Sequence, residues 1–177
     1  MPPVIGLIGA MGSGKSTAAQ ILVDEYGYTR VRMAGMLKTM LSAAGLSAAQ
    51  LDGDQKEVPT PLLCGKTPRH AMQTLGTEWG RKCIDDDLWV MLTEASIQKI
   101  LAEGQKVVID DLRFENETRM IGRLNGTSYR VRRSSVEDVA VTHVSEALWR
   151  ELPSNGEINN DGDIDNLKLE LKGLLNG

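Results

Sequence analysis

Aromatic side chains are scarce: one Phe, three Trp and three Tyr make up 4% of 177 residues. A surface built to stack successive single-stranded bases needs more of them. Positive charge is not in surplus either. Twenty Lys and Arg stand against 24 Asp and Glu, a formal net charge of −4, whereas a protein that neutralises a polynucleotide backbone usually carries a basic excess. Cys64 and Cys83 form no C-x-x-C, and with only two histidines there is no zinc set. Both thiols read as free or buried in a reducing compartment. No run approaches the roughly 20 apolar residues of a membrane span. The opening Met-Pro-Pro-Val-Ile-Gly lacks the basic start and apolar stretch of a signal peptide. The expectation is a soluble, cytoplasmic chain with no polynucleotide and no membrane partner.

What is present suits one globular domain. The chain is 41% hydrophobic and 25% charged, and its length allows burial of roughly 70% of the unfolded surface. Val4 to Ile8 reads as a buried strand. A helix follows from Lys15 to Glu25, with Ala18, Ile21 and Leu22 at helical spacing and Gly27 as its stop. Tyr28 to Met33 leans to strand, and Met36 to Ala44 to helix. Residues 45–67 hold Gly, Pro and acids with little periodicity, so a long mobile connection is expected there. Thr67-Pro68 is a helix start, with Thr as cap and Pro at the first helical position. A helix over about 87–103 presents Leu88, Met91, Leu92 and Ala95 as its apolar stripe. Val107 to Ile109 is a second apolar strand, and a helix from Glu115 to Leu124 ends at Asn125-Gly126. Ser128 to Arg132 is a third strand. The tail from Asp163 to Leu175 is helical, with Leu167, Leu171 and Leu174 on one face. Apolar strands alternating with amphipathic helices predict an α/β fold: a parallel sheet with helices on both faces.

The strongest chemical signal is Gly9-Ala-Met-Gly12-Ser13-Gly14-Lys15-Ser16, which fits G-x-x-x-x-G-K-[ST] without mismatch. It follows a predicted strand and opens a predicted helix, as the motif requires. Glycines let backbone N–H groups converge on phosphate oxygens, and the helix N-terminus adds favourable dipole charge. Lys15 reaches the outer phosphates, and the Ser16 hydroxyl can hold Mg²⁺. ATP or GTP binding is the expectation. No D-x-x-G follows the second strand and no N-K-x-D is present, which argues against a GTPase. A short chain with one such loop has the size of a small-molecule kinase.

Asp111 stands at the end of the strand Val107 to Ile109, the edge where a parallel sheet presents ligands. It is the expected metal carboxylate, with Asp110 able to substitute. Arg113 lies two residues on and Glu117 one helical turn beyond. Arg113 suits neutralisation of the transferring phosphoryl group or of the acceptor's phosphate. In the helix after Pro68, Ala71, Met72 and Leu75 share one face. Arg69 and Gln73 share another, one turn apart. An Arg that forks onto phosphate beside an amide that pairs with a base edge would read a nucleoside monophosphate.

Several stretches in order resemble the phage-type deoxynucleoside monophosphate kinases. They are Gly9 to Thr17, Met33-Ala-Gly-Met-Leu-Lys38, Thr67 to Arg81, Asp87-Leu-Trp89, Val107 to Glu117 and His143-Val-Ser-Glu146. The chain departs from the family pattern at Gly35-Met36, where an acidic residue and a proline are expected, and at Glu115, where proline is common. The resemblance implies a three-layer P-loop kinase fold with a mobile acceptor-binding helical region (about 35–85) and a short lid (about 132–145). It implies transfer of the ATP γ-phosphoryl group to a dNMP, with Mg²⁺. Lys38, Arg69, Gln73, Trp89, Arg113 and Glu117 would be acceptor-site positions, and a lid arginine, Arg133, would close over the phosphates. If the strand continues, Arg132 and Arg133 point to opposite faces. His143 is expected to make a structural hydrogen bond. Asn159-Asn-Asp-Gly162 resembles a late strand and loop that pass near the adenine. Closure of residues 45–67 and the lid would exclude water. If phage-encoded, the chain would work in the host cytoplasm.

Two other readings stay open on the residues. One is a P-loop kinase for another phosphorylated metabolite, such as phosphomevalonate or dephospho-coenzyme A. The other is a non-catalytic nucleotide-binding regulator. A homodimer is also left open. The charge is unevenly spread: residues 113–133 hold six arginines against two glutamates, and residues 151–177 hold six acids against two lysines. Such a chain suits a small anionic ligand held by a few arginines.

Overall fold

The computed structural model describes residues 1–137 and 148–176; His143 and most of the expected lid lie outside the described residues. By contacts the chain forms two compact units, Met1–Arg32 with Glu94–Gly177, and Met33–Thr93.

The first unit is a five-stranded parallel sheet in the order β2-β3-β1-β4-β5. Its strands are β1 (Val4–Ile8), β2 (Tyr28–Val31), β3 (Lys106–Ile109), β4 (Thr127–Arg132) and β5 (Gly156–Asn159). Helix α1 (Lys15–Tyr26) follows β1. Central β1 is buried along its whole length, as a strand covered on both faces must be. One core gathers Ile5 and Leu7 of β1, Val131 of β4 and Ile158 of β5. Against them pack Ala18 and Leu22 of α1 and Leu167 and Leu171 of the C-terminal helix. Helix α6 (Glu115–Arg123) also packs on β1 and β4, and buries Met120 and Ile121. The result is three layers, helix–sheet–helix. From β1 the chain winds through β2 and β3 on one side, then crosses from β3 to β4 and β5 on the other. The point of reversal therefore lies at the C-terminal end of β1, where such sheets bind ligands.

Unit Met33–Thr93 is helical. It contains α2 (Gly35–Ala43), α3 (Ala48–Leu51) and α4 (Pro68–Gln73). The Thr67 hydroxyl accepts from His70 N–H at 3.1 Å, so the expected cap is in place. Beyond Gln73 the backbone widens to i→i+5 winding over Thr74–Ile84, and 100° spacing ceases to describe the side chains. Residues 45–67 are not a structureless connection. They fold into α3, whose Ser47 and Gln50 cap one another, and short 3₁₀ turns at Asp54–Glu57 and Pro61–Leu63. A one-turn helix is too short for periodicity to reveal. Leu46 and Leu51 anchor it as buried residues.

Helix α5 (Leu88–Ala102) runs where expected but buries a different stripe. Trp89, Val90, Thr93 and Ile97 are inside, whereas Met91 is 65% exposed and Leu92 and Ala95 are exposed too. Trp89 decides the rotation. Its indole N–H donates to the Gly76 carbonyl at 2.8 Å, and its ring lies against Gly80, in space a Cβ there would occupy. A buried Trp combines large apolar area with a donor that must be satisfied, and that outweighs the exposure of Met91 and Leu92.

After β4 comes α7 (Ser134–Glu137), and after β5 comes α8 (Ile164–Asn176). Leu167, Leu171 and Leu175 of α8 are buried. Among the described residues no helix is long and apolar enough to cross a membrane.

Candidate active site

The loop between β1 and α1 is built around positive φ angles at Gly9 (151°), Gly12 (82°) and Gly14 (98°). Between the last two lies Ser13, fully buried, its hydroxyl without a partner among the described residues. Gly14 is the N-cap of α1 and offers no side-chain cap, so the first amides of the helix stay available for an anion. The Lys15 ammonium donates to the carbonyls of Gly9 and Ala10 at 2.8 and 2.6 Å. It is pulled down to about 8 chiefly by burial, with the charge of Arg113 adding to the fall and Asp110 and Asp111 opposing it. Lys15, Asp110, Asp111 and Arg113 are thus gathered at one edge of the sheet.

The Ser16 hydroxyl donates to Asp110 Oδ2 at 2.8 Å. The carboxylate that meets the phosphate-loop serine is therefore Asp110, buried at the end of β3, and not Asp111, which is half-buried beside it. Burial alone would raise the Asp110 carboxyl. Hydrogen bonds from Arg30 and Ser16, with the charges of Arg30 and Arg32, outweigh burial and hold it below the usual carboxylate range. Arg30 is a site residue that sequence reasoning missed. Its Nε donates to Asp110 Oδ1 at 3.0 Å and its Nη2 to Oδ2. Parallel register sets Arg30 beside Val108, two residues before Asp110. An arginine in a strand was the only local signal.

Glu117 is buried and accepts from the backbone N–H groups of Arg113 (2.6 Å) and Phe114 (3.1 Å). It shapes the turn that carries Arg113, whose side chain is exposed. On β4, Arg130 donates to the Leu152 carbonyl at 2.6 Å, and Arg132 pairs with Glu157 at 3.3 Å. The strand stops at Arg132, so alternation does not extend to Arg133, which is exposed. Asp161 accepts from Ser134 N–H and hydroxyl at 2.7 and 2.9 Å. Those two bonds, helped by the charges of Arg133 and Arg132, keep its carboxyl low. Asn160 sends its side-chain amide to the Ser13 carbonyl at 2.8 Å.

In unit Met33–Thr93 the expected acceptor cations are each paired with an acid of residues 45–67. Lys38 donates to Asp52 at 2.5 Å, and Arg69 pairs with Glu57. Gln73 is exposed on α4. Trp89 is a packing residue whose N–H is spent on Gly76, with Trp79 at 6.2 Å between ring centroids.

Ser16 and Asp110 offer a hydroxyl and an ionised carboxylate 2.8 Å apart. Hard oxygen donors of this kind suit Mg²⁺, which takes one or two protein ligands beside phosphate oxygens.

Known proteins agree with this architecture. The shikimate kinase of Bacteroides thetaiotaomicron superposes with a TM-score of 0.52 at 13% identity, covering 98% of this chain and 96% of that one. The Aquifex aeolicus shikimate kinase gives 0.51 at 17% identity, covering 98% and 99%. At such identities the likeness is one of fold, that of P-loop kinases. In sequence, an Acanthamoeba polyphaga mimivirus protein assigned as a deoxynucleotide monophosphate kinase is 32% identical over 163 residues, 85% of this chain and 84% of that protein. The deoxynucleoside-5'-monophosphate kinase of Escherichia phage T5 is 36% identical over 59 residues, 33% of this chain and 23% of that protein. Residues 66–171 match the family described as deoxynucleotide monophosphate kinase. With a phosphate loop on a P-loop kinase sheet and a family match over more than half its length, the chain belongs to the deoxynucleotide monophosphate kinase family and is a nucleotide phosphotransferase.

Proposed function

We propose that the protein transfers the γ-phosphoryl group of ATP to the phosphate of a dNMP, releasing ADP and a dNDP. The P–O bond to the ADP leaving group breaks and a P–O bond to the acceptor phosphate forms. The observation that carries this reading is the cluster of Lys15, Asp110, Asp111 and Arg113 around a glycine-built loop at the C-terminal edge of β1 and β3.

Such a reaction needs positioning and charge neutralisation more than covalent chemistry. Loop amides from Gly9 to Thr17 cradle the phosphates, and Lys15 gives its charge to the transferring group. Ser16 and Asp110 would hold Mg²⁺, with Asp111 next to Asp110 in the chain; when bound, the ion would neutralise charge on the phosphate oxygens. Arg113 supplies a further cation, on a turn set by Glu117, and Arg133 a second one. Lys38, Arg69 and Gln73 bind the acceptor, with Asp52 and Glu57 exchanged for its phosphate, while Trp89 holds their unit in shape.

A coupled assay of ADP release with ATP, Mg²⁺ and a panel of ribo- and deoxyribonucleoside monophosphates tests the reading. Expected is ADP formation that depends on a dNMP and falls to background in Lys15→Ala. Turnover indifferent to the nucleotide acceptor, or equal with dephospho-coenzyme A, would overturn it.

A further inference from the structure

The segment after β5 reaches the phosphate loop in a way the proposed reaction has not yet used. Asn160 is buried, and its backbone N–H donates to the Arg132 carbonyl at 2.8 Å, extending the β4–β5 ladder by one step. Held there, its side-chain Nδ2 donates to the Ser13 carbonyl at 2.8 Å. The amide nitrogen also sits where a Cβ on Gly14 would have to go. So Gly14 is required twice, for its φ of 98° and for this close approach.

The peptide bond between Ser13 and Gly14 explains what the contact does. In a planar trans peptide the C=O of one residue and the N–H of the next point in opposite directions. Gripping the Ser13 oxygen from the β5 side aims the Gly14 N–H the other way. Gly14, at positive φ, is the pivot on one side of this plane, and Ser13 Oγ has no partner among the described residues to hold it. Among the described residues, Asn160 is the side chain that hydrogen-bonds its carbonyl.

We propose that Asn160 is a positioning residue for nucleotide binding: through the Ser13 carbonyl it orients the Gly14 N–H toward the triphosphate. This rests on the reading of the loop as the ATP cradle.

The test uses the full chain with Asn160→Ala and Asn160→Asp. The second keeps size and packing against Gly14 but sets an accepting oxygen against the Ser13 carbonyl. Two measurements are made: calorimetric titration of MgADP, and steady-state kinetics with ATP and dNMP varied separately. Expected is a loss of MgADP affinity of about 5- to 30-fold, larger for Asn160→Asp, the size of a lost or reversed buried hydrogen bond. KM for ATP should rise by the same factor, with KM for dNMP unmoved. If Asn160→Ala fails to fold, Asn160→Asp carries the test. Unchanged MgADP affinity in a folded variant overturns the proposal, as does an equal rise in both KM values, the mark of general loosening. Failure of the kinase reading looks different: the unmutated protein would release no ADP with any dNMP, while the MgADP titration would still decide the role of Asn160.

Discussion

Lys15 is half-buried with two carbonyls for company, and its depressed pKa of about 8 has a consequence for stability. Between that value and the ordinary 10.5 the unfolded chain binds the proton that the folded one has lost. Stability of the ligand-free protein therefore rises with pH across this window, and below it the full penalty of a buried cation applies. Lys15→Met should raise the ligand-free Tm at pH 7, with the gain fading toward pH 10.5, while phosphoryl transfer is lost. Thermal denaturation of both proteins across that range checks it; a variant less stable at pH 7 would refute it. Two neighbouring carboxylates can be separated in the same manner. Asp110 is buried and engages Ser16 and Arg30, and Asp111 stands half-buried beside it. Asp110→Asn should lower kcat by about 10²-fold or more and raise the Mg²⁺ needed for half-maximal rate. Asp111→Asn should move both by no more than about tenfold. A Mg²⁺ titration of the two variants decides the order.

At the scale of elements, α5 shows why period alone does not settle which face is buried. Leu88, Met91, Leu92 and Ala95 recur at helical spacing, and so do Trp89, Val90, Thr93 and Ile97 on the opposite side of the helix. The second set is inside. The choice was made by the Gly76 carbonyl and the bare backbone at Gly80, which together accept an indole. Both lie more than eight residues away along the chain, outside any helical window. It follows that Met91→Lys should change stability by no more than about 0.5 kcal/mol, whereas Ile97→Ala should cost about 2–5 kcal/mol. Urea unfolding of the two variants tests the rotation. By contrast α1 was legible to its ends. Gly14 and Gly27 bound it, both with left-handed φ, and Ala18, Ile21 and Leu22 are buried as spaced. Helix α3 was not legible, because four residues cannot display a period of 3.6.

Over the whole molecule, two kinds of information divide cleanly. The phosphate loop is local: nine consecutive residues, Gly9 to Thr17, carry its glycines, lysine and hydroxyl, and its setting between strand and helix is contiguous too. Nucleotide binding was therefore readable without coordinates, the family and its reaction from several such stretches in order, and the parallel α/β sheet from apolar strands alternating with helices. Asp110 rather than Asp111 at the Ser16 hydroxyl was not readable. Adjacent residues on an extended chain point to opposite sides, and only the register of β3 on β1 says which side faces the loop. Arg30 and Asn160 come from β2 and from the end of β5, 80 and 147 residues from their partners. Their roles exist only because the sheet order places those strands' ends around one loop. Composition, spacing and turn chemistry determined the kind of protein this is. Strand register, helix rotation and the hydrogen bonds that cross the sheet decided which side chains do the positioning, since those depend on contacts between residues far apart in the chain.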